Sequence, residues 1–210
     1  MKLGILGSGN VGGILGRRWA QNGHSVFFSS RNPQSDEMKR LIADSGPSAH
    51  AGTVAEAASA SDILLLATPW NATRSVLSTA GNLAGKLLID ATNPLLPDLS
   101  GLEVGTSSSG GESVAQWAPG AHVVKAFNTV GANIMADPIM HGQSALLFYC
   151  GDDASAKKTV HDLADELGFD AHDAGPLTQA RVLEPFALLW ISLAFSKGHG
   201  REFAFRIIRR

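Results

Sequence analysis

Short apolar runs alternate along this chain with longer stretches whose apolar residues recur at helical spacing. Lys2-Leu3-Gly4-Ile5-Leu6 comes first, followed by Ser25-Val26-Phe27-Phe28, Ile63-Leu64-Leu65-Leu66-Ala67, Lys86-Leu87-Leu88-Ile89-Asp90 and Val123-Val124-Lys125-Ala126-Phe127. A weaker strand is expected near Ala49. Runs that are apolar throughout suit parallel strands buried on both faces. Between them, Ile14, Leu15, Trp19 and Ala20 mark one helix, and further helices are expected at 33–45, 54–60, 71–80 and 112–117. Strands alternating with helices predict an α/β protein built on a doubly wound, mostly parallel sheet. Beyond residue 130, Ala145–Cys150 and Phe169–Asp173 read as strands, while 154–167 and 178–197 read as helices, the last with a kink at Pro185. The expected organisation is one domain over 1–210, with 130–210 a small C-terminal α/β extension packed on it.

The first strand runs straight into Gly7-Ser8-Gly9-Asn10-Val11-Gly12, and a helix follows. In that setting the first glycine permits a tight turn and the second lets a pyrophosphate approach the backbone. The third seats the helix close to its strand, so its free N–H groups point at the phosphates. The sheet is therefore expected to be of the Rossmann, NAD(P)-binding type. The end of the second strand then chooses the cofactor. An NAD site usually carries an acid there for the ribose 2′-hydroxyl, but no acid precedes Asp36 in this chain, and Ser30-Arg31 occupies the place. A hydroxyl and a guanidinium suit a 2′-phosphate, which favours NADP.

Composition removes several alternatives. The chain has 210 residues, enough for a substantial core, and its 17 basic and 19 acidic residues nearly balance, with no basic stripe for nucleic acid. The single Cys150 makes no internal disulfide or cysteine metal cluster and fits a reducing compartment. Met1-Lys2 opens directly into a strand, which leaves no room for a signal peptide, and the run Phe186–Phe195 is about half a bilayer span. A cytoplasmic protein without a membrane segment is expected.

Ligands of an open α/β sheet gather beyond the C-terminal ends of its strands. Those ends carry Gly7–Val11, Ser30-Arg31, Thr68-Pro69-Trp70, Asn93-Pro94 and Asn128-Thr129. Trp70 and Phe127 could flank a planar ring or simply pack. Asn93 and Asn128 could bond a carboxamide or serve their own turns. No catalytic constellation stands out: the histidines are scattered, none at metal spacing, and no G-x-S-x-G is present. Lys125 is the one candidate acid or base, and a structural role suits it better. Hydride transfer between two ring systems needs alignment more than a protein acid. A reductase of small carbonyl or imine substrates, and a non-enzymatic NADP(H) sensor or partner-bound subunit, remain as alternatives.

These motifs in order resemble the NADP-dependent coenzyme F420 reductase family and the related oxidoreductase domain of the STEAP metalloreductases. The resemblance is carried by Gly7–Gly12, Ser30-Arg31, Thr68-Pro69-Trp70 and Val124-Lys125-Ala126-Phe127-Asn128-Thr129. Farther along it rests on Cys150-Gly151-Asp152-Asp153, Asp173-Ala174-Gly175-Pro176-Leu177, Ala180-Arg181 and Leu183-Glu184. It implies a homodimer binding NADP along the strand ends, with coenzyme F420 or a free flavin stacked on the nicotinamide as the small-molecule redox substrate. Ser8, Gly9, Asn10 and Val11 would then hold the pyrophosphate, and Ser30 and Arg31 the 2′-phosphate. Thr68, Pro69 and Trp70 would lie near the cofactor's middle, with Ala126, Phe127 and Asn128 near the nicotinamide. Asn32-Pro33 stands where the F420 reductases tend to place a second basic residue. The segment Lys125–Thr129 is closer to the metalloreductase version, so the resemblance implies F420 and a flavin about equally.

Overall fold

The computed structural model describes every residue from Met1 to Arg210. The strands are β1 (Lys2–Leu6), β2 (Ser25–Ser29), β3 (Ala49–Gly52), β4 (Ile63–Leu66), β5 (Leu87–Asp90), β6 (His122–Ala126), β7 (Ile139–Met140), β8 (Gln143–Ser144), β9 (Leu146–Gly151) and β10 (Asp170–Asp173). The helices are α1 (Asn10–Gln21), α2 (Asp36–Ser45), α3 (Val54–Ser59), α4 (Trp70–Ala80), α5 (Gly110–Trp117), α6 (Ala132–Ala136), α7 (Ala154–Asp165) and α8 (Ala180–Ile191). Eight strands form one sheet in the order β10-β9-β6-β5-β4-β1-β2-β3. The six strands from β3 to β6 run parallel, β9 joins β6 antiparallel, and β10 lies parallel to β9. This is the mostly parallel, Rossmann-like sheet expected, with its reversal of strand order between β1 and β4.

The strands alternate side chains between two apolar layers, as a sheet covered on both faces requires. Leu3, Ile5 and Leu65 join Trp19, Phe28, Leu163 and Phe169 on one face. Leu6, Leu64 and Leu66 join Leu88, Val114, Leu177 and Leu183 on the other. Residues expected in the C-terminal extension thus add β9 and β10 to the same sheet.

Local chemistry explains where expected elements moved. The second helix begins at Asp36 rather than Pro33 because the Ser35 Oγ caps it, accepting from the Met38 N–H at 3.3 Å. The closing helix runs through Pro185 and is flanked by a 3₁₀ turn at Leu177–Gln179 and a π-type turn at Ser192–Ser196. The hairpin of β7 and β8 leaves no periodicity in the sequence because each strand has two residues. His141 and Gly142, with φ of 51° and 74°, form its turn.

Candidate active site

The site grows from the switch point outward. Gly7 follows β1 with φ of 101°, and a Cβ there would lie 2.6 Å from the Ala67 carbonyl oxygen. A Cβ on Gly12 would stand 1.9 Å from the Gly7 carbonyl oxygen, so α1 packs onto the turn only because residue 12 lacks one. Gly9 is the opposite case, since a Cβ there would meet nothing within 4 Å. That open space lies over the start of α1, which has no side-chain cap and no acid in its first turn. Uncapped N–H groups beneath open space are what a pyrophosphate needs, and the turn fits a dinucleotide. The start of α4, behind Pro69, likewise lacks a side-chain cap and an acid.

Two cavities meet over this turn, both lined by Gly9, Thr68, Pro69 and Asn71. The first, about 820 Å³, collects Gly7, Ser8, Ser30 and Arg31 together with Ser29, Asn32 and Ser35. Arg31 is exposed at its wall, and the β2 end is fixed because Gly7 N–H donates to the Ser29 Oγ at 3.2 Å. Glu37 and Met38 of α2 contribute the far side. The second cavity, about 530 Å³, collects Asn10, Val11, Trp70 and Asn93, and its outer wall is Leu95, Leu96, Pro97, Leu99 and Glu103.

Of the residues singled out in the sequence, eleven line this cleft: Gly7, Ser8, Gly9, Asn10, Val11, Ser30, Arg31, Thr68, Pro69, Trp70 and Asn93. Ala126, Phe127 and Asn128 do not. Phe127 adopts φ of 64°, rare for a bulky residue, and its ring lies edge-on between Trp19 and Phe169 at 5.8 and 5.9 Å. It is core packing and no ring clamp. Trp70 keeps its place beside the cleft, its ring centroid 5.2 Å from that of Trp117 with the planes tilted by 34°. Asn128 acts through its neighbour: Asn93 Nδ2 donates to the Asn128 carbonyl at 2.8 Å, and Asn128 Nδ2 donates to Asn93 Oδ1 at 3.2 Å. The pair ties the ends of β5 and β6 together.

Beneath that pair sits a fully buried charge cluster. The Lys125 ammonium donates to Asp90 Oδ2 at 2.9 Å and to the Thr92 carbonyl at 2.8 Å, and it lies 2.7 Å from Glu184 Oε1. Glu184 of α8 also accepts from the Gly110 and Gly111 N–H groups at 2.8 and 2.9 Å, capping α5. Asp90 accepts from the Thr92 N–H and hydroxyl. Burial pulls the Lys125 pKa down, but the adjacent Asp90 and Glu184 carboxylates more than reverse it, so the net shift is upward. Lys125 is thus a locked cation with no access to a substrate. Burial pushes the neighbouring Cys150 thiol up to about 12, which removes it as a nucleophile.

The wall at Leu95–Glu103 leaves no mark in the sequence. A Leu95–Leu102 bridge closes it, and Glu103 N–H donates to the Pro94 carbonyl at 2.7 Å. Its residues look like loop in a linear reading, since one isolated bridge leaves no periodicity.

Fold and cleft together define a dinucleotide-binding protein. The family model described as NADP oxidoreductase, coenzyme F420-dependent, matches residues 2–94. A solved structure from Arthrobacter sp. FB24, to which F420-dependent NADP-reductase activity is attributed, is 32% identical and superposes over 100% of both chains with a TM-score of 0.89. The F420-dependent NADP reductase of Methanocaldococcus jannaschii is 29% identical over 216 residues, 95% of this chain and 96% of that protein. Metalloreductase STEAP3 of Rattus norvegicus is 34% identical over 187 residues, 89% of this chain, although the chain spans only 36% of STEAP3. A reductive aminase of Aspergillus terreus, 21% identical with a TM-score of 0.67 over 93% of this chain and 62% of that one, shares the fold. The chain belongs to the F420-dependent NADP oxidoreductase family and is an NADP-dependent oxidoreductase.

Proposed function

We propose that the chain passes a hydride between NADP(H) and a flat deazaflavin or flavin ring held in the second cavity. The observation that carries this reading is the continuous cleft whose two lobes have different chemistry. One is hydroxyl-rich with Arg31, and the other adds a wall of Trp70, Leu95, Leu96, Pro97 and Leu99. When bound, NADP(H) supplies the hydride and its two electrons from the nicotinamide C4, the acceptor ring taking them together with one solvent proton.

The chain's own part is alignment. The uncapped N–H groups at the start of α1 would hold the pyrophosphate, with Ser8, Gly9, Asn10 and Val11 around it. Ser30 and Arg31 would bind the 2′-phosphate. Thr68, Pro69 and Trp70 would set the floor where the lobes meet. Asn93 would orient the nicotinamide edge, held in place by Asn128, while Ala126 and Phe127 support it from beneath. The apolar wall would exclude water from the reacting rings. No protein acid is required.

Mixing the protein, NADPH and F420, FMN or riboflavin anaerobically tests this by loss of NADPH absorbance. Turnover with at least one ring is expected. Tight NADPH binding without turnover of any ring would leave an oxidoreductase of another substrate. The exposed apolar residues Val182, Leu189 and Phe195 along α8 and the turn after it support a homodimer, and sedimentation at the mass of one chain would contradict it.

A further inference from the structure

The second cavity contains one charge. Its lining residues are apolar or neutral except for Glu103, an exposed carboxylate held by the hairpin wall, and it includes no Lys, Arg or His. No ion pair or hydrogen bond engages the Glu103 carboxylate. Arg74 lies over the Trp117 ring at 5.9 Å and does not line the cavity. The first cavity has Arg31 for a phosphate, whereas the second has a carboxylate and no cationic side chain, the uncapped starts of α1 and α4 at its inner edge being those that face the dinucleotide's pyrophosphate.

A phosphate-bearing ring substrate entering here would carry its negative charge past a fixed one. We infer that Glu103 makes the acceptor lobe select rings with a neutral substituent over the same rings with a phosphorylated or otherwise anionic tail. This rests on the reading of the second cavity as an acceptor lobe. Among flavins, riboflavin is then preferred to FMN. Among deazaflavins, the ribityl compound is preferred to its phosphorylated, polyglutamylated form. Glu103 is a specificity-determining residue, and its carboxylate also offers an acceptor to the hydroxyls of a ribityl chain.

The test separates binding from turnover. Quenching of tryptophan fluorescence, with Trp70 lining the cavity, is titrated with riboflavin and with FMN on NADP-loaded protein at low ionic strength. Wild type is expected to bind riboflavin about three- to fivefold more tightly, the size of one or two exposed like-charge contacts. Glu103→Gln should bring the ratio close to one, and added salt should shrink it in wild type only. Equal or tighter FMN binding in wild type, a ratio unmoved by Glu103→Gln, or no binding of either ring would each overturn the inference. A riboflavin preference that Glu103→Gln abolishes, without oxidation of NADPH by either ring, would uphold the binding selectivity and defeat the hydride-transfer reading instead.

Discussion

Lys125→Met should destabilise the protein by about 3–5 kcal/mol, the usual cost of leaving buried charges without their partner. The ammonium is 0% exposed and stands between two carboxylates that are 0% and 1% exposed. Removing it leaves Asp90 and Glu184 facing each other in the core, with only the Thr92, Gly110 and Gly111 donors to offset them. In a chain of 210 residues each kcal/mol moves the melting temperature by about 2–4 °C, so a fall of about 10 °C is expected in a thermal melt.

The pH dependence has a definite sign. A lysine whose pKa is raised on folding contributes stability that is complete below its unfolded value, about 10.4, and lost as pH rises through the folded value. The deficit of Lys125→Met should therefore be constant through neutral pH and shrink only above about pH 10. Below the melting range, the surviving enzyme should lose far less than the 10²–10⁴-fold typical of a missing acid or base, because Lys125 touches no substrate. A loss of that size in folded protein would make Lys125 part of the chemistry.

Arg31→Ala should weaken NADP binding by about 1.5–3 kcal/mol, or roughly 10–100-fold, with little change for NAD. The guanidinium stands at the end of β2 beside Ser30, in the lobe that would hold the adenosine half. A charge-assisted contact with a 2′-phosphate is lost with the side chain, whereas NAD offers no such group. Calorimetric titration of both nucleotides reads the ratio directly. Equal weakening for NADP and NAD would mean that Arg31 does not read the 2′-phosphate.

The parts of this molecule legible in its sequence are those written in local chemistry. The Gly7–Gly12 turn, the apolar strands and the residues just beyond them follow from periodicity and from the absence of a Cβ where atoms crowd. The eleven cleft residues named from strand ends were reachable because the topology puts those ends together. What escaped depends on distant partners. Lys125 meets Asp90 from 35 residues away and Glu184 from the last helix, and no spacing rule connects the three. Phe127 sits at a strand end, yet its left-handed backbone turns the ring into the core. The wall at Leu95–Glu103 is held by one bridge and a few turn bonds, too little to leave a pattern.

Direct hydride transfer is tested most closely by isotope. NADPH carrying deuterium at the transferable C4 position is oxidised by the protein with a 5-deazaflavin, whose C5 retains the hydrogen it receives. Deuterium at C5 of the reduced ring, in one stereochemical sense and undiluted by solvent, is the result expected of two rings held face to face. Solvent hydrogen at C5, or label in both senses, would contradict the alignment on which this account rests.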